Sequence, residues 1–113
     1  MTPRLGSAVL VSALLRKAEA EGGYGAVLAK GDKDSGAILL ILLERGRNTL
    51  LLERLLGPGG DYSWVRSPAL AADEMSEVPS LIARRRRFDP DLWVLELDVP
   101  SAERFAAGMT AFD

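Results

Sequence analysis

The sequence contains no cysteine and no histidine. Without cysteine, the chain has no disulfide framework, no thiolate nucleophile and no cysteine-ligated zinc or iron–sulfur site. Without histidine, it lacks the usual general base, the commonest transition-metal ligand and any Ser-His-Asp triad. The sequence therefore predicts no metal site and no cofactor, and the reaction classes that depend on these side chains are excluded.

Charge and length are ordinary for a globular protein. The chain has 14 Lys plus Arg against 16 Asp plus Glu, a net charge of −2. This balance provides no overall attraction to nucleic acid or acidic lipid, so neither is an expected partner. A hydrophobic content of 48% over 113 residues indicates a single compact domain spanning residues 1–113.

The apolar segments are too short for a membrane span or a secretory signal. The longest, Ala37–Leu43, is far below the ~20 residues that cross a bilayer. The N-terminal run Ala8–Leu15 is followed by Arg16, Lys17 and Glu19, where a signal peptide has an uncharged cleavage region. We therefore predict a cytoplasmic protein.

The first part of the chain is predicted to form a helix and four strands. Ser7 is a candidate cap for a helix from about Ala8 to Glu21, and Gly22-Gly23 suit its end. Short loops between the apolar segments that follow indicate antiparallel hairpins. The predicted strands are Tyr24–Lys30, Gly36–Glu44, Thr49–Leu56 and Tyr62–Arg66.

The rest of the chain is predicted to add two helices and one strand. Residues 67–76 form a polar and alanine-rich connection. Pro79 suits the first turn of a helix that reaches about Phe88. A fifth strand covers Leu92–Asp98, and Ser101 is a candidate cap for a last short helix.

The order α-β-β-β-β-α-β predicts an α+β fold, with a mainly antiparallel sheet of about five strands and the helices packed on one side. The segment Ala37–Leu43 is so continuously apolar that both its faces must be covered, or one must meet a partner. Together with Leu50–Leu52, it presents more apolar surface than a few helices cover. We therefore predict a homodimer.

Two segments resemble a small bacterial family. One is Arg86-Arg87-Phe88-Asp89-Pro90-Asp91-Leu92-Trp93, and the other is the turn Gly31-Asp32-Lys33-Asp34-Ser35-Gly36-Ala37 before an apolar strand. With an Arg-Leu start and a helix that ends in Ala-Glu-Ala, they are similar to the family catalogued as domain of unknown function 1491. The resemblance covers most of the chain and implies no particular activity.

The Asp32 and Asp34 pair invites a catalytic or calcium-binding interpretation, but its context favours a turn. A calcium loop that started at Asp32 would need Gly and Glu at the positions of Ala37 and Leu43. An aspartyl-phosphate mechanism requires a larger parallel α/β domain. We therefore interpret Asp32, Asp34 and Gly36 as a structural turn whose carboxylates accept backbone N–H groups.

The run Arg84-Arg85-Arg86-Arg87 has two interpretations. Four successive residues spread around a helix, so at least one must lie near the sheet. A structural run would contact backbone carbonyls or the turn Asp89-Pro90-Asp91, which ends the helix. A functional run would project several guanidinium groups into solvent to bind an anion or nucleic acid. We favour the structural interpretation because the two carboxylates are close in sequence.

The two tryptophans are assigned different environments. Trp93 shares a strand face with Leu95 and Leu97, which predicts a core residue. Trp64 lies on a short strand predicted at the edge of the sheet, and it is the better candidate for an exposed interface residue.

No motif names a reaction, so we do not expect an enzyme. The sequence is best interpreted as a small binding or protein-interaction module with a protein partner. The alternative is anion or nucleic-acid binding through Arg84–Arg87.

Overall fold

The computed structural model describes residues 6–66 and 78–109. Within them it has three helices and a five-stranded sheet, so the α+β prediction is confirmed. The predicted connection 67–76 lies outside the described residues. The helices are α1 (Ser7–Ala20), α2 (Val78–Phe88) and α3 (Ala102–Gly108), and the strands are β1 (Tyr24–Ala29), β2 (Ile38–Glu44), β3 (Arg47–Leu56), β4 (Tyr62–Arg66) and β5 (Trp93–Asp98).

The sheet has the strand order β1-β5-β2-β3-β4. The predicted hairpins β2–β3 and β3–β4 are present. The predicted hairpin between β1 and β2 is wrong, because β5 lies between them, antiparallel to β1 and parallel to β2. The loop from Lys30 to Ala37 is long enough to cross one intervening strand, since neighbouring strands lie only about 4.8 Å apart. The shortness of the loop between β1 and β2 therefore does not show that these two strands pair with each other.

β2 is buried on both faces, and this decides where the helices lie. Ile38, Leu40 and Leu42 pack against α1 and α3. The alternate residues Leu39 and Ile41 pack against α2 on the other face. The expectation that all helices lie on one side is wrong, because a central strand with six consecutive buried apolar residues needs cover on both faces.

The dimer was predicted because these strands carry more apolar surface than a few helices were expected to cover. In the structure, that surface is covered within one chain. The residues from Ile38 to Leu43 are each at most 8% exposed within one chain, and Leu50, Leu51 and Leu52 are at most 7% exposed. The apolar residues that motivated the prediction are therefore covered within one chain and are not available to a partner. Homodimer formation stays a prediction that must rest on another surface.

Three chain segments meet at one end of the sheet. The backbone N–H of Asp32 donates to the carbonyl of Asp91 at 3.0 Å. A Cβ on Gly31 or Gly36 would lie 1.9 or 2.2 Å from that same carbonyl oxygen. Gly36 therefore permits the close approach of two loops, and this role does not depend on a left-handed backbone, since its φ is not positive.

The start of α1 is fixed at this junction by a contact that differs from the predicted cap. Gly6 occupies the N-cap position, and Ser7 is the first helical residue. The Ser7 hydroxyl donates to the carbonyl of Gly36 at 2.6 Å, and the N–H of Ala8 donates to the carbonyl of Lys33 at 2.9 Å. Loop carbonyls thus satisfy donors that a helix start leaves free. At α3, Ser101 accepts from the Arg104 N–H as predicted.

Replacing Gly31 by alanine tests the junction. The new methyl group would overlap the Asp91 carbonyl, so we expect a loss of about 1–3 kcal/mol in the free energy of unfolding, as for other overpacked sites. Gly59→Ala is the matched control, because a Cβ there meets nothing within 4 Å. Urea unfolding followed by circular dichroism measures both. Equal stability of the two variants would contradict the close approach.

Candidate functional site on helix α2

The inner face of α2 covers the sheet with few apolar side chains. Val78 and Leu81 are buried, and Ile82 packs against the same cluster of sheet residues. The next inward position, one turn after Leu81, is Arg85. The helix is therefore held at its start by apolar contacts and at its end by polar ones.

Arg85 forms an ion pair with Glu53 on β3. Its two terminal nitrogens donate to the two carboxylate oxygens at 2.5 and 3.3 Å. The Glu53 side chain is only 10% exposed and that of Arg85 30%. This confirms that one arginine of the run lies near the sheet. Its partner is not Asp89 or Asp91, the two carboxylates that the sequence suggested because they are close to the run. Arg85 instead pairs with Glu53, which is 32 residues away.

Arg86 binds backbone carbonyls at the junction. Its Nη1 donates to the carbonyls of Leu92, Lys30 and Pro90 at 2.7, 2.9 and 3.0 Å. One guanidinium thus joins the end of α2 to the loop after β1 and to the turn before β5. These are contacts of the kind that the structural interpretation of the run describes.

Arg84, Arg87 and Phe88 form the outer face of α2. They are spaced i, i+3 and i+4, which places them on one side of a helix. The two arginine side chains are exposed, and neither forms a hydrogen bond or ion pair with the described part of the chain. Phe88 is 81% exposed. The sequence analysis did not single out Phe88, although exposure of an aromatic residue beside two cations is the distinctive feature of this surface.

Each of the two aspartate turns contains a carboxylate that accepts hydrogen bonds from its own turn. Asp32 Oδ2 accepts from the backbone N–H groups of Ser35 and Asp34 at 2.9 and 3.1 Å, and from the Ser35 hydroxyl at 3.1 Å. These bonds, led by that from the Ser35 N–H, lower the pKa of Asp32 below its usual range. Asp89 Oδ1 accepts from the Asp91 N–H at 3.1 Å, so each carboxylate stabilises its own turn.

The two tryptophans are both part of the fold. Trp93 is 6% exposed in the core, as predicted, and its Nε1 donates to the carbonyl of Asp32 at 2.7 Å. Trp64 is half-buried and packs against the same core. Its Nε1 is buried and has no hydrogen-bond partner among the described residues. This packing disfavours the prediction that Trp64 is an interface residue.

The opposite end of the sheet holds a shallow cleft of about 470 Å³. Asp98 at this cleft accepts from the N–H of Gly46 at 2.8 Å and from the Tyr24 hydroxyl at 3.4 Å. Its carboxylate therefore joins the β2–β3 turn to the end of the sheet. The cleft lacks the convergent carboxylates of an acid–base site and is lined by Gly22, Gly23, Tyr24, Arg45, Gly46, Asp98, Val99 and Pro100.

Residues 6–66 and 78–109 contain neither a metal-binding cluster nor a membrane-spanning helix. No group of three or more acidic side chains among them is arranged to hold a metal ion. None of the helices in this part of the chain combines the length and hydropathy needed to cross a bilayer.

The architecture defines a class of small α+β domain in which one parallel strand pair lies inside an otherwise antiparallel sheet. The chain belongs to the family described as protein of unknown function DUF1491, whose profile matches residues 5–107. The family resemblance noted in the sequence is thus confirmed. No curated protein matches the sequence.

Solved structures of relatives have the same fold. The solution structure of protein Atu0922 from A. tumefaciens is 33% identical, with a TM-score of 0.74 over 91% of this chain and 92% of that one. The crystal structure of a DUF1491 family protein from Caulobacter crescentus CB15 is 30% identical, with a TM-score of 0.75 over 89% and 94%. An NMR structure of a DUF1491 family protein from that organism is 28% identical, with a TM-score of 0.76 over 92% and 94%.

The ion pair of α2 is tested by Arg85→Ala. This variant leaves the Glu53 carboxylate largely buried and unpaired, so we expect a loss of about 2–3 kcal/mol, below the 3–5 of fully buried pairs because Arg85 is partly exposed. Arg84→Ala is the matched control and should change stability by at most about 0.5 kcal/mol. Urea unfolding measures both. A similar loss in the two variants would show that the two arginines are equivalent.

The Asp32 turn is tested by carboxyl NMR titration. We expect Asp32 to titrate below the usual aspartate range and Ser35→Ala to raise its pKa. Because the folded pKa is lowered, the stabilisation is present above the unfolded pKa and is lost as pH falls through the folded value. The backbone N–H groups of residues 34 and 35 remain in this variant, so an unchanged Asp32 titration would contradict the hydrogen bond from the Ser35 hydroxyl.

Proposed function

We propose that the chain is a cytoplasmic, non-catalytic protein-interaction module whose partner docks on the outer face of α2, formed by Arg84, Arg87 and Phe88. The observation that carries the proposal is Phe88, an aromatic side chain left 81% exposed at the end of a helix. Aromatic and arginine side chains are the residues most enriched at protein interfaces and their binding hot spots.

The chemistry of this face specifies the partner. Burying the Phe88 ring requires an apolar pocket, and burying the exposed arginines requires carboxylates at its rim, because an unpaired buried charge is costly. The proposed partner is therefore a protein segment that presents an apolar pocket or apolar side chains flanked by Asp or Glu.

The inner contacts of α2 support a binding role because they fix the helix before a partner arrives. Arg85 is held by Glu53, and Arg86 by three carbonyls. A helix end that is already ordered loses less conformational entropy on association than a flexible one. The run of four arginines thus combines two structural residues with two that are available to a partner.

Nucleic-acid binding is the alternative, because two guanidinium groups beside an aromatic ring also suit a single strand. The net charge of −2 opposes it, as do Asp89 and Asp91, which directly follow this face. Phosphate contacts would have to overcome those charges, whereas a protein partner can accommodate both signs. We therefore favour a protein partner.

The proposal is tested with peptides selected on the wild-type protein from a random display library. We expect the selected peptides to combine apolar residues with Asp or Glu. Phe88→Ala should weaken their binding about 30-fold, which corresponds to roughly 2 kcal/mol at a hot spot, and Arg84→Ala/Arg87→Ala should weaken it as well. Isothermal titration calorimetry measures each affinity.

Val9→Ala is the control, since Val9 is 55% exposed on α1, and it should leave binding unchanged. Peptide affinity that is insensitive to Phe88→Ala would overturn the proposal. So would single-stranded RNA or DNA binding that falls with salt with a slope of about −0.7 per phosphate contacted and is lost in the double arginine variant.

A further inference from the structure

β1 is an edge strand that carries neither of the residue types that most often protect an edge from pairing, a charged side chain or a proline. It forms hydrogen bonds with β5 on one side, and no described residue pairs with its other side. Natural edge strands commonly carry Lys, Pro or inward-pointing charges that prevent association. The segment Tyr24–Ala29 contains no charged residue and no proline.

The exposed side chains of β1 are also apolar. Tyr24, Leu28 and Val27 are 68%, 48% and 37% exposed. A large uncovered side chain on an open strand edge marks a surface suited to a second strand. The opposite edge strand, β4, is different, because its Arg66 is paired with Glu103 of α3 at 2.8 Å and its Trp64 packs on the core.

We propose that β1 pairs antiparallel with β1 of a second copy of this chain, forming a two-fold symmetric dimer with a continuous sheet. This inference concerns a surface other than the outer face of α2 and holds independently of the proposed function. It also gives the predicted homodimer an interface in place of the covered sheet faces.

The second copy fits this edge for two reasons. An uncharged strand that pairs with itself places no like charges opposite one another. The flanking charges are complementary, because antiparallel pairing reverses the partner. Lys30 is exposed just beyond the C-terminal end of β1. In the dimer, Lys30 of one copy lies beside the N-terminal half of β1 in the other copy, the half that pairs with Glu96 and Asp98 of β5.

The interface is small, so the dimer is a weak one. Only six residues of β1 take part on each side, and a register irregularity between Val27 and Ala29 limits the regular pairing. Interfaces of this size class associate reversibly. Dimerisation is therefore a concentration-dependent equilibrium.

Analytical ultracentrifugation from about 10 µM to about 1 mM tests the dimer over the matching affinity range. The mass should rise with concentration from the monomer value of 12.2 kDa towards that of a dimer. Val27→Lys should weaken association at least about tenfold, since it places a positive charge at the pairing edge. Val65→Lys in β4 is the matched control, at 40% exposure, and should leave association unchanged.

Thermal unfolding shows whether Val27→Lys is folded. If this variant does not fold, hydrogen exchange of the wild-type protein tests the same interface without a substitution. In the wild-type protein, hydrogen exchange of the β1 amides should slow with rising concentration, while that of the β4 amides should not change. A monomer at every concentration would overturn the proposal. So would a dimer that survives in folded Val27→Lys, or one that is lost in Val65→Lys or Phe88→Ala.

Discussion

The fold depends on the burial of β2 on both faces. Six consecutive residues, Ile38 to Leu43, are buried, and an apolar strand of this kind is stable only at the centre of a covered sheet. The other elements follow from that requirement. β5 and β3 flank the strand, α1 and α3 cover one face, and α2 covers the other.

The cover that α2 provides is thin, and this explains the arginines. The helix buries only Val78 and Leu81 fully, too little apolar area to fix a helix of this length by itself. Arg85 and Arg86 supply the remaining attachment through Glu53 and through the carbonyls of the junction. Arg84, Arg87 and Phe88 lie at the end of the same helix and are exposed to solvent. The contacts of Arg85 and Arg86 therefore hold in place the part of the helix that presents these three side chains.

The sequence predicted what local patterns determine. Alternation placed Trp93 in the core. The apolar run in β2 correctly indicated a strand that exposes neither face to solvent, although one of its faces was assigned to a second copy rather than to α2. Asp32 was recognised as a turn residue because its partners, Asp34 and Ser35, are its near neighbours. Each of these properties depends on residues close together in the chain.

Features that depend on distant segments were missed. β5 lies between β1 and β2 although it is far from both in sequence, and Glu53 is 32 residues away from Arg85. The hydrogen bond from the Ser7 hydroxyl to the Gly36 carbonyl was missed as well, because it joins residues that are 29 positions apart. The exposure of Phe88 was equally hidden, because its position beside Arg87 does not reveal which face of α2 meets the sheet.

Arg85 and Arg86 hold α2 in place, whereas Arg84 and Arg87 face solvent. Relaxation of the arginine side-chain Nε–H groups, measured by NMR, tests this difference most directly. The account predicts that Arg85 and Arg86 are ordered on the picosecond-to-nanosecond timescale, whereas Arg84 and Arg87 are mobile. Equal mobility of all four side chains, or order confined to Arg84 and Arg87, would contradict it.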